Sequence, residues 1–149
     1  MLKENSGDSS QSWPKPAFEE VEHTADRALR IYGSDLRELM VNAAQGMNSL
    51  MVKEPPATST PLEKSVVLEA MDAEGLLVEW LSELAFWAET EMLVFFRFEL
   101  YDVSPTRLKA TLYGSKANKL EKHIKAVTYH NLKIVRTDAG LSAVVVFDV

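Results

Sequence analysis

Apolar residues recur along this chain with two different periods, and each period marks a type of element. Between positions 36 and 51 they fall at Leu36, Leu39, Met40, Ala43, Ala44, Met47, Leu50 and Met51. Steps of three and one predict an amphipathic helix of about four turns. Gly33 ends the run before it, Ser34 is a good N-cap, and Asp35 favours a helix N-terminus. Gly46 costs this helix roughly 1 kcal/mol against alanine, which points to close packing there. A second stripe, Leu76, Leu77, Trp80, Leu81, Leu84, Trp87 and Ala88, follows the capping residue Asp72. It predicts a second helix, with Glu79, Glu83 and Glu89 turned away from that face.

Elsewhere the pattern is that of strands. Phe18–Val21 and Ala28–Tyr32 flank a turn-like His23–Asp26, and Glu63–Met71 follows a loop at 54–61 whose three prolines forbid a regular element. From Leu93 onward the chain reads as β at 93–101, 107–113, 123–130, 132–136 and 141–148, with a hairpin turn at Thr137–Gly140. The order β-β-α-β-α followed by strands predicts an α+β fold, two helices packed on a largely antiparallel sheet system.

A chain of 149 residues suits one domain and buries enough surface to need no disulfide or structural metal. Residues 1–15 are polar and Ser-rich, so the expected organisation is a disordered leader at 1–16 and a single domain at 17–149. No cysteine is present, which removes thiol nucleophiles, disulfides and Cys-ligated metal clusters. The longest unbroken apolar runs, Met92–Phe96 and Ala143–Phe147, fall far short of the ~20 residues of a spanning helix. The N-terminus lacks the apolar core of a signal peptide, and a cytoplasmic location is expected. The net charge is −6, from 16 Lys and Arg against 22 Asp and Glu. The basic excess that drives nucleic-acid binding is missing, so any RNA is expected to be reached through a partner. Glycine-rich phosphate loops, HExxH, GxSxG and EF-hand patterns are also missing.

Three polar clusters stand out. His23-Thr24-Ala25-Asp26 interrupts two apolar strands. It reads either as an Asx-type turn or as a carboxylate presented to a hard metal ion at a strand end. Asp148 lies one residue before Val149 and, by alternation, shares a face with Val144 and Val146, the expected inward face. There a carboxylate is costly unless paired or metal-bound; a frayed end with Asp148 in water is the other reading. Lys122–His130 reads as a solvated edge, or as a positive strip facing a partner or an acidic pocket, with Lys125 and His130 on opposite faces.

Taken together these segments resemble the archease family. The matching pieces are His23-Thr24-Ala25-Asp26; Gly33-Ser34-Asp35-Leu36 leading into Ala43-Ala44-Gln45-Gly46-Met47; Leu76–Leu84; Lys125–His130; and the ending Phe147-Asp148-Val149. They stand in family order over residues 17–149. The resemblance implies a strand–helix–strand–strand module with an inserted helix-containing segment. It implies a protein cofactor, not an enzyme, that activates the GTP-dependent tRNA-splicing RNA ligase of the RtcB type. Such a cofactor promotes ligase guanylylation and multiple turnover. It further implies a divalent ion, calcium by preference, held by Asp26, Asp148 and Val149, with His23, Lys125 and His130 as supporting or partner-facing residues. Another reading is a chaperone-like modulator of a different tRNA-processing enzyme, such as a tRNA methyltransferase. One departure is Arg27, where the family commonly carries an aliphatic residue.

Overall fold

The computed structural model describes residues 17–21, 26–54 and 60–149. The leader at 1–16 and His23 lie outside the described residues. The elements run β1 (Phe18–Val21), β2 (Arg27–Gly33), α1 (Leu36–Met51), β3 (Leu62–Glu69), α2 (Ala73–Glu91) and β4 (Leu93–Leu100). They continue with β5 (Arg107–Lys116), β6 (Ala126–Thr128), β7 (Val135–Thr137) and β8 (Gly140–Asp148). The α+β architecture is the expected one.

Two sheets result, and every pairing in them is antiparallel. The first has the order β1-β2-β8-β6, with β7 also on β8. The second, β3-β5-β4, is built entirely from 62–116, inserted between α1 and the strands that close the first sheet. One core of buried side chains joins both sheets and both helices, with Trp80, Phe95 and Phe147 among its largest members.

Local chemistry explains the boundaries. Helix α1 is capped by Asp35 and not Ser34: the Asp35 carboxylate accepts from the Glu38 N–H at 2.9 Å, and Glu38 accepts from the Ser34 N–H. Asp72 caps α2 as expected, accepting from the Gly75 N–H at 2.7 Å. A Cβ at Gly46 would sit 3.0 Å from the Phe18 ring and 3.1 Å from Leu29, so this glycine lets α1 close on β1 and β2. Along its flank, α1 also covers the free edge of β4. Arg37 donates to the carbonyls of Leu100 and Tyr101, and Asn48 donates to the Phe95 carbonyl.

Strand β3 ends two residues early and β5 runs on to Lys116, but the largest departures lie between 118 and 136. The expected strand at 123–130 shrinks to Ala126–Thr128. Leu120, Ile124 and Val127 are all buried in the core, a spacing that no strand alternation produces. Glu121 meanwhile donates its N–H to the Met51 carbonyl at the end of α1. The expected strand at 132–136 reduces to Val135–Thr137, and the hairpin into β8 turns at Asp138 and Ala139.

Candidate functional site

The β2–β8 ladder positions the site. Its register pairs Ala28 with Val146 and Arg27 with Phe147. The ladder stops there; Asp26, a bend residue, immediately precedes β2, and Asp148 is the last residue of β8. Directly opposed side chains on antiparallel strands have Cβ atoms about 4.5–5.5 Å apart. The last pair of the ladder thus lies between two aspartates that are 122 residues apart in sequence.

Alternation decides which face they occupy. On β8 the core takes Ala143, Val145 and Phe147, and on β2 it takes Leu29 and Ile31. Asp148 is exposed, on the side away from the core, and Asp26 is half-buried. The expectation of an inward-facing Asp148 is therefore corrected. The helices cover the odd-numbered face of β8, while Val146 is buried on the other face beside Ala28. Val149 returns to the core side, where its side chain packs against the main cluster. The Lys125 N–H donates to the Asp148 carbonyl at 2.7 Å, fixing the backbone beside the carboxylate.

The other expected residues divide. Lys125 adjoins Asp148 and is exposed; His130 lies two residues past the end of β6, also exposed and beyond the carboxylate pair. Arg27 alternates to the face opposite Asp26 and forms an ion pair with Glu20 at 3.4 Å. Its charge is directed away from the carboxylates, so this departure from the family leaves their face unaltered.

Two carboxylates about 5 Å apart repel by roughly 3 kcal/mol at an effective dielectric near 20, and a cation between them reverses that sign. The donor set is oxygen only, which suits a hard cation such as calcium better than zinc. Among the described residues no group of three His, Cys, Asp or Glu side chains comes together for a metal. The two aspartates therefore leave most of a calcium shell to backbone oxygens and water.

Beside the site lies a groove that the sequence reading missed. It holds about 410 Å³ between α2 and residues 124–127, and Phe86, Glu89, Thr90 and Lys125 are among its lining. Its one sequence signal is Phe86, which stands off the apolar stripe of α2 and remains 55% exposed, edge-on to Trp87.

Comparison with known proteins places this arrangement. The model of the Archease protein family matches residues 18–149, from the first residue of β1 to the residue after β8. The Protein archease of Methanosarcina mazei is 35% identical over 140 residues, covering 89% of this chain and 95% of the relative. The Protein archease of Archaeoglobus fulgidus is 34% identical over 133 residues, with 87% and 96% coverage. The solution structure of Methanobacterium thermoautotrophicum protein 1598 superposes with a TM-score of 0.69 at 30% identity, covering 89% of this chain and 99% of that one. A crystal structure from Thermotoga maritima, described as an archease and possible chaperone, gives a TM-score of 0.61 at 27% identity, with 93% and 99% coverage. Sequence and fold agree along both sheets and both helices, and the chain belongs to the archease family.

Proposed function

We propose that this protein activates a GTP-dependent tRNA-splicing RNA ligase of the RtcB type, promoting its guanylylation and multiple turnover. The observation that carries the reading is the Arg27–Phe147 pair that ends the β2–β8 ladder, each partner being followed outward along the strands by an aspartate, Asp26 and Asp148. Family membership and the oxygen-only donor set support it. Asp26, Asp148 and Val149 would hold a divalent ion, calcium by preference, which when bound supplies positive charge beside these aspartates. The chain's own contribution is rigidity. Val149 anchors one side of the end in the core, and the Lys125 N–H holds the Asp148 carbonyl on the other. A partner therefore meets carboxylates already in position.

The test is multiple-turnover RNA ligation by the cognate ligase, with this protein titrated below the ligase concentration. Product in excess of ligase only in its presence is expected; unchanged turnover across the titration rejects the reading. The description of the Thermotoga maritima structure as a possible chaperone favours a second reading, a chaperone-like modulator of another tRNA-processing enzyme such as a tRNA methyltransferase. Rescue of methyltransferase solubility with no effect on ligation would select that reading.

A further inference from the structure

The charge of this chain is unevenly placed. Residues 122–137 carry four Lys or Arg and no Asp or Glu, within a protein whose net charge is −6. Five described cations elsewhere are in ion pairs, Arg27 with Glu20, Arg30 with Glu19, Arg107 with Glu69, Lys116 with Glu91 and Lys119 with Glu121; Arg37 bonds backbone carbonyls, and Lys64 and Arg97 lie over aromatic rings. Among the described residues Lys122, Lys125, Lys133 and Arg136 have no ion pair.

The fold sets two of these, Lys125 and Arg136, along one edge, with Lys122 and Lys133 in the segments that lead into it. Ala126–Thr128 and Val135–Thr137 pair with the same side of β8, at its two ends. Arg136 pairs with Leu141, and Lys125 falls one position past the Ala126–Asp148 pair, beside Val149. Eight strand positions separate those partners, about 27 Å at the antiparallel rise. Lys122 and Lys133 precede Lys125 and Arg136 by three residues each. Between the two cation pairs stand Tyr129, 60% exposed, and His130.

We propose that this edge binds the phosphate backbone of single-stranded RNA. A line of cations without acidic partners is a track for a polyanion, and aromatic rings along such a track provide stacking surfaces for bases. Three of the four cations are lysines, which read phosphate as point charges and favour sequence-tolerant contact. An acidic peptide added as a strand is the weaker occupant. β6 and β7 are three residues each and separated by the 129–134 loop, so the edge offers no continuous template. The choice of RNA over other polyanions rests on the function proposed above. The negative charge of the remaining chain keeps the affinity of the isolated protein low, so the edge contributes most when a partner already holds the RNA.

The experiment uses the full chain without ligase, so its failure leaves the ligase reading intact. Fluorescence anisotropy with labelled oligouridylate is measured at rising salt. Four phosphate contacts predict a loss of affinity of roughly 50-fold between about 50 and 200 mM salt. Lys125→Ala with Lys133→Ala should reduce that loss to about sevenfold. Tyr129→Ala should weaken binding about tenfold. Lys53→Ala with Lys109→Ala, exposed cations outside this edge, should change neither. Overturning results are no binding at the lowest salt, an unchanged salt dependence in the Lys125/Lys133 variant, or oligoglutamate binding as tightly as RNA. The last would assign the edge to an acidic protein surface.

Discussion

Trp80 of α2 donates its indole N–H to the Met40 carbonyl of α1 across 2.8 Å, and both residues are fully buried. The contact fixes the two helices against each other in depth and in rotation. The Trp80 ring also meets Phe98 of the inserted sheet edge-on, at 5.9 Å between centroids. One side chain thus ties α1, α2 and β4 together.

Trp80→Phe keeps the aromatic contact and loses the hydrogen bond and part of the volume, for an expected cost of about 1–3 kcal/mol. Trp80→Ala should cost about 3–5 kcal/mol, because it also opens a cavity. Urea unfolding of the three proteins checks this. Wild-type stability in Trp80→Phe would mean that the bond contributes nothing.

Asp148→Asn should leave the melting temperature nearly unchanged, since the side chain is exposed at the last position of β8, and Asp26→Asn tests the other proposed ligand. Both should weaken calcium binding in calorimetric titration and abolish ligase stimulation. Wild-type stimulation by both variants would show that the carboxylates have no part in activation.

Gly140 has φ +130°, and a Cβ there would lie 2.4 Å from the Gly33 carbonyl oxygen. Gly140→Ala should therefore cost about 2–4 kcal/mol through backbone strain and a clash that backbone atoms cannot relieve. Thermal unfolding that matches wild type would contradict this.

Glu74, in the first turn of α2, accepts the Ile134 N–H at 2.9 Å and holds the 129–134 loop. Glu74→Ala should raise the hydrogen-exchange rate of the Ile134 amide by about tenfold, the loss of one charged hydrogen bond, while global stability falls little. Glu74→Gln should restore most of the protection. Equal exchange in all three proteins would show that the loop is held by other contacts.

Periodicity made much of this fold legible. Both helices, the Asp72 cap, the hairpin before β8 and the packing role of Gly46 follow from local spacing and propensity. The reading faltered where burial is set by distant partners. Leu120, Ile124 and Val127 are core residues held by a largely irregular segment, so their helix-like spacing of four and three marks no helix. Alternation puts Asp148 with Val144 and Val146, but valines fill both faces of β8, so only the helix positions decide between the inward reading and the carboxylate in water, and the latter is found. That Asp26 and Asp148 both border the Arg27–Phe147 pair is a matter of register across the whole chain. Spacing alone does not encode it; the family motifs brought both residues forward. The unpaired cations at 122–136 were half visible as a positive strip, but pairing through tertiary contacts determines which charges remain available.

Helix α1 shields β4, and this has a consequence for the segment between 62 and 116. That segment is a complete β-α-β-β unit by pairing, yet it is not a transplantable cassette. Released from Arg37 and Asn48, it would present the carbonyls of Phe95, Leu100 and Tyr101 along a bare strand rail. Such a rail recruits the nearest strand available, which at working concentrations is another copy of itself. The insert therefore depends on the helix before it to keep that edge from self-assembly. Sedimentation of the excised segment beside the intact chain would show this as aggregation confined to the fragment.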